Sequence, residues 1–279
     1  MAILTYNGQP IDCGSYIPPF SVLPNDWSVV YSGENTWIDL DGVAHYSTST
    51  PTNKYLNGST WDDMTISGGF PPQNGKYVWN DGTNYYYSAG KDNSNQITFT
   101  VSLNGKRLDT RRKTWINRPT SLFGNDIWTD GTNIYHTYAG SNHVLDVSTS
   151  TWSEKTWNGF TPMAGVSIWY DGEHYYYSAA TNQYVLDVST STWSPKTWYG
   201  LTSFSGHEVW TLGNNVYYSS LSNHYILNKA TSTWSRIYPG VSFYGHNVWH
   251  HAGNTYADGN YIIVDNNPSQ YNFISYETT

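Results

Sequence analysis

A chain of 279 residues with net charge −8 and only 12% charged residues lacks the clustered Lys and Arg that phosphate binding needs, which argues against a nucleic-acid partner. Aromatic residues make up 17%, with 26 Tyr and 14 Trp, so flat rings rather than aliphatic side chains must fill the core. No run of about 20 apolar residues is present to span a membrane, and a single cysteine, Cys13, excludes an internal disulfide and a zinc site built on cysteines.

Residues 1–27 come first, with Pro10, Pro18, Pro19 and Pro24 and two short apolar stretches at 2–6 and 16–20. The start MAILTYNGQPIDCGSY has no charged head followed by an apolar core and so does not read as a secretory signal. Two duties are expected of this segment. It closes the ring described next by adding a strand, or it docks the protein onto other virion proteins by strand addition at a sheet edge.

From residue 28 to 279 a unit of about 41 residues recurs six times. Its anchoring glycines are Gly42, Gly82, Gly131, Gly172, Gly213 and Gly253. An insertion in the second unit, carrying the basic run Lys106, Arg107, Arg111, Arg112 and Lys113, breaks the register. Runs of Val, Ile, Trp and Tyr punctuated by turn residues divide each unit into four strands; in the fourth they are expected over 165–170, 174–178, 183–188 and 192–198. Asp171-Gly172 and its counterparts Asp41-Gly42, Asp81-Gly82 and Asp130-Gly131 suit tight type I′ hairpins. In DVSTSTW, Asp146 and Asp187 are placed to accept hydrogen bonds from the turn backbone, and Asn228 stands there in the fifth unit. With no helical periodicity, the expected fold is all-β: a six-bladed β-propeller of four antiparallel strands per blade with a short N-terminal extension, its blades wedged apart by buried Trp.

Asp187, Thr190 and Trp193 reproduce a DxxTxxW pattern, as do Asp146, Thr149 and Trp152, and Asn228, Thr231 and Trp234 in variant form; Asp265, Pro268 and Tyr271 are a degraded copy. This spacing resembles the turn between the last two strands of kelch repeats, and the resemblance covers roughly residues 28 to 276. It departs where the kelch double glycine is replaced by Tyr-Ser, at Tyr87-Ser88 and Tyr177-Ser178. The resemblance implies a propeller, and a propeller does not by itself imply a function.

Two sets of residues are candidates for binding. Loop residues Phe160, Met163, Phe204, Phe243 and Tyr244 sit beside the start of the inner strands, where exposed aromatics suit a sugar face or a protein partner, or else cap the core. Lys76, Asn125, Val166, His207 and His246 follow the initiating glycine of successive units and are expected to converge on a central channel suited to an anionic or hydroxylated ligand. No metal site is expected, since His250 and His251 are adjacent on a strand and face opposite sides, and no cofactor is expected.

The residues do not read as an enzyme. Sialidase boxes and the Cys–Tyr pair of copper radical oxidases are absent, and no GxSxG or phosphate loop stands out. The surviving catalytic reading is a kelch-type sugar epimerase or mutarotase using His207 and Glu208 for proton transfer. A surface solubilised by Ser, Thr, Asn and Gly, without export signal or disulfide, resembles the texture of bacteriophage tail and head appendages. The expected function is therefore that of a non-enzymatic virion component, made in the host cytoplasm, that binds a host-surface glycan or protein or decorates the particle. A cytosolic kelch adaptor is the further alternative.

Overall fold

The computed structural model describes residues 33–48, 52–58, 60–68, 74–90, 97–102, 107–237, 242–251, 254–257 and 260–264, together with 5–6, 9–10 and 20–23. Its strands form small antiparallel sheets set around a common axis, a β-propeller. Ahead of each innermost strand the chain makes one 3-10 turn, and each turn touches the next until Gly245–Asn247 meets Gly33–Asn35 and the ring is shut. Among the described residues no helix is long and apolar enough to cross a membrane.

The expectation of six blades, each completed by its own four strands, is corrected. Five blades are woven from one continuous stretch of chain, within 36–63, 78–112, 127–154, 168–195 and 209–237. The sheet that follows them is of another kind. Its strands Val248–His251, Asn254–Ala257 and Asn260–Val264 take their outer partner, Phe20–Leu23, from the other end of the chain. The degraded repeat at Asp265, Pro268 and Tyr271 lies outside the described residues. Pairing these two distant segments in one sheet ties the ring together. The second blade also departs from the four-strand pattern, because Thr65–Ser67 adds to it as a fifth strand, parallel to Arg107–Arg112.

One spacing underlies the five blades and the closing sheet: Gly-x-x-x-Trp, at Gly33/Trp37, Gly75/Trp79, Gly124/Trp128, Gly165/Trp169 and Gly206/Trp210 in the blades and at Gly245/Trp249 in the closing sheet. The glycine opens the 3-10 turn, and the Trp lies on the inner strand, 6–8% exposed. The glycines are required by close approach rather than by φ. A Cβ at Gly165 would lie 2.1 Å from the Asp126 carbonyl oxygen of the preceding turn, and one at Gly206 would lie 2.2 Å from that of Ser167.

The Tyr-Ser pairs of the second strands have a physical reason. Trp79, Trp169 and Trp210 donate their indole N–H to Ser88, Ser178 and Ser219 at 3.1, 2.9 and 2.9 Å, and those hydroxyls are fully buried. Each serine satisfies an indole donor that the core would otherwise strand.

The Asp-Gly turns differ from the expected type I′. Only the glycine takes positive φ (Gly82 87°, Gly131 86°, Gly172 96°), and the loops hold four residues, as the pairing of Asn80 with Tyr85 shows. The aspartate closes the loop instead. Asp130 Oδ1 accepts from the Thr132 and Asn133 amides at 2.9 and 2.7 Å, and Oδ2 accepts from the Tyr135 hydroxyl at 2.8 Å. Asp81 does the same with Thr83, Asn84 and Tyr86, and Asp171 with Glu173, His174 and Tyr176. In the first blade this role belongs to Asp39, not Asp41, with His45 Nε2 at 2.7 Å in the tyrosine's place.

Burial works against the charge of Asp81 and Asp130, but these hydrogen bonds outweigh it and hold both carboxyls below their usual 3.8. A depressed folded pKa contributes stability that is complete above about pH 4 and is lost as the pH falls through the folded value. Asp130→Asn should therefore flatten the acid side of a stability-versus-pH curve measured by urea denaturation. An acid side as steep as the parent's would refute this.

Between blades, three Trp meet at a time. Trp152 of the third blade packs on Trp79 and Trp115, Trp193 of the fourth on Trp128 and Trp157, and Trp234 of the fifth on Trp169 and Trp198. Each connector Trp belongs to a Lys-Thr-Trp triplet, and Lys113, Lys155 and Lys196 lie 4.9, 4.6 and 4.7 Å from the ring centres of Trp115, Trp157 and Trp198. In the basic run of the second blade, Lys113 is thus engaged with aromatic rings and Arg107 pairs with Asp109 at 3.1 Å.

Candidate functional site

The 3-10 turns place their middle residues on the axis. Glu34, Lys76, Asn125, Val166, His207 and His246, in ring order, line a cavity of about 500 Å³ whose walls include Trp128, Trp169, Trp210 and Trp249 of the inner strands. Lys76, Asn125, His207 and His246 thus meet at one cavity, although they stand on turns rather than on the inner strands themselves. Glu34 is the member that the repeat reading missed. The Gly33-x-x-x-Trp37 spacing, shared with the other units, was the signal that could have found it.

Charge is paired around the rim. Lys76 Nζ donates to Glu34 Oε1 at 2.7 Å. That hydrogen bond holds the Glu34 carboxyl below its usual value against the opposing effect of burial, with the charges of Lys76, His246 and His207 adding to it. The same bond raises Lys76. On the side of Glu34 away from Lys76, the imidazoles of His207 and His246 stack with centroids 4.5 Å apart and planes at 14°. Burial first, and then the neighbouring His246, push the His207 pKa down, so it stands neutral at pH 7.

The third residue of a turn reaches to the next turn. Glu208 Oε2 accepts from the Gly245 amide at 3.0 Å, and Oε1 lies 3.0 Å from His246 Nδ1. Asp126 accepts from the Val166 amide at 3.3 Å, and burial raises its carboxyl even against the Val166 and Gly165 N–H groups. Asn125, which lines the cavity, carries a buried Oδ1 with no hydrogen-bond partner among the described residues. A buried acceptor without a donor costs free energy, and a ligand donor toward which the Asn125 amide turned would recover it.

The loop aromatics divide. Phe204 is corrected from a partner-binding position to a core one. It is 3% exposed and packs against Trp198, Tyr218 and Trp234, because Phe204–Ser205 pairs with Ala179 and Ala180 and turns the ring inward. Phe243 is likewise core, and Phe160 stacks on Tyr184 at 3.8 Å. Met163 is exposed. Tyr244 is half-buried, with its ring 5.2 Å from that of His246 and close to parallel.

No protein-family model matches the chain, and no curated protein matches it. Among solved structures it is similar to the extracellular domain of the hybrid two component system BT3049 from B. thetaiotaomicron, at 11% identity and a TM-score of 0.45, covering 84% of this chain and 40% of that one. It is also similar to the extracellular domain of the one component system BT4673 from the same organism, at 11% identity and a TM-score of 0.48, covering 85% and 32%. The chain spans less than half the length of either. At this identity the likeness concerns the fold and not the ligand.

Proposed function

We propose that this chain is a non-enzymatic binding module whose axial cavity receives a hydroxylated ligand, the sugar unit of a surface glycan being the class that its chemistry suits. One observation carries the reading: turns from every part of the ring converge on one cavity lined by a carboxylate, an ammonium, two imidazoles and the amide residue Asn125. Vicinal hydroxyls both donate and accept, so they can serve this mixed set, and the surrounding indoles supply apolar wall. The DxxTxxW turns support placing the blades among kelch-like repeats. The charge-poor, aromatic surface supports a setting on the outside of a virus particle, with the N-terminal residues ahead of the closing strand as the attachment to other virion proteins.

Screening the full chain against a glycan array, followed by calorimetry on the best hit, tests the proposal. Asn125→Ala should weaken the hit about tenfold, the equivalent of one net hydrogen bond of ~1.4 kcal/mol. An array without a saturable hit, or an unchanged affinity in Asn125→Ala, would overturn it. The contact of Glu208 with His246 favours one second reading, a sugar epimerase or mutarotase in which this pair moves protons. A ring-opening assay on the array hit distinguishes catalysis from binding.

A further inference from the structure

We propose that His207, Glu208 and His246 form a binding site for one divalent first-row transition-metal ion, of which zinc is the example, on the wall of the axial cavity. The three side chains come from two adjacent turns, Gly206–Glu208 and Gly245–Asn247, and one donor atom from each lies within 4.8 Å of the other two. Donors on one ion at the usual ~2.0–2.2 Å lie within about 4.4 Å of one another, so a small side-chain adjustment brings this set onto a single ion. Two imidazoles and a carboxylate are the donor set of borderline ions such as zinc, and three protein ligands leave further positions open to water or a ligand.

The carboxylate donor is already anchored, whereas the two stacked rings must tilt apart for their in-plane lone pairs to converge on one ion. Neither ring nitrogen of His207 has a hydrogen-bond partner among the described residues, while its ring is held parallel to that of His246. Glu208 Oε2 is fixed by the Gly245 amide, leaving Oε1 directed at His246 Nδ1, a 3.0 Å contact that the ion would replace. A held carboxylate of this kind lowers the cost of assembling a metal site, and the remaining adjustment is a rotation of the two imidazoles about their side-chain bonds. Glu34, next in the ring after His246, is paired with Lys76, so the two together add no net charge beside the ion.

His207 and His246 line the cavity, so the open positions on the ion would face it, where sugar hydroxyls could coordinate. The inference rests on the proposed function only through this shared cavity, and the metal alone is enough to test it. The full chain, freed of metal by chelator dialysis, is titrated with zinc in a calorimeter and with cobalt while the visible spectrum is followed. One ion per chain is expected, with the absorption of cobalt in a low-coordinate nitrogen and oxygen site. His207→Ala and Glu208→Gln should each weaken binding by about tenfold or more, whereas His174→Ala, an exposed histidine in the fourth blade, should not change it.

The absence of saturable binding, a stoichiometry other than one, or parental affinity in both variants would overturn the site. Should His207→Ala fail to fold, Glu208→Gln, which keeps the side-chain shape, decides. Zinc binding without any glycan hit would leave this site standing and remove the sugar reading. A glycan hit without zinc binding would do the reverse.

Discussion

Gly165→Ala should cost the protein about 4 kcal/mol or more, or prevent the recovery of folded material altogether, the range reached only when the core or backbone must be rearranged. The added methyl carbon would lie 2.1 Å from the Asp126 carbonyl oxygen, 2.6 Å from its carbon and 2.8 Å from its Cα, all backbone atoms that cannot swing aside. Relief requires two neighbouring turns to separate. Because the turns form one ring, that displacement passes to every blade. Gly131→Ala is the matched control. Gly131 sits in a hairpin loop at φ 86° with nothing within 4 Å of its would-be Cβ, so only the positive φ is penalised, at about 1–2 kcal/mol. Chemical denaturation of the two variants beside the parent measures both costs. If Gly165→Ala melts within about 0.5 kcal/mol of the parent, the turns are not packed as described.

Trp193→Ala should cost about 3–5 kcal/mol, the usual loss for removing a buried large aromatic side chain. Trp193 is 1% exposed and presents its indole edge-on to Trp128 at 6.3 Å and Trp157 at 6.0 Å, so its loss opens a cavity between the third and fourth blades. Its backbone N–H also donates to the Asn158 carbonyl in the connector between those blades, at 2.9 Å, which limits how far the seam can collapse into the space. Tyr199→Ala, at a side chain 60% exposed, should stay within about 0.5 kcal/mol of the parent. Equal midpoints for the two variants would show that the indole wedge does not hold the seam.

Much of this was legible before any coordinates. Alternation of Val, Ile, Trp and Tyr with turn residues specifies the all-β class, because strand periodicity and turn chemistry are local properties. The roles of Asp146 and Asp187 were readable for the same reason: a side chain accepting from amides two and three residues on involves only its own turn. Repetition extended this reach. Once units are related by rotation about an axis, equivalent positions must approach one another, so Lys76, Asn125, His207 and His246 could be brought together without knowing any contact.

The tertiary structure decided whatever depends on unlike positions far apart in the chain. The closing sheet joins Phe20–Leu23 to Asn260–Val264, and no periodicity announces such a pair, so the repeats suggested six self-contained blades where five exist. The ion pair of Glu34 with Lys76, the approach of Glu208 to His246 and the burial of Phe204 are decided likewise by neighbours on other blades. Local sequence sets the conformation of each turn and strand through short-range sterics and hydrogen bonding. Which side chains then share the axis or the seams is set by how the blades pack.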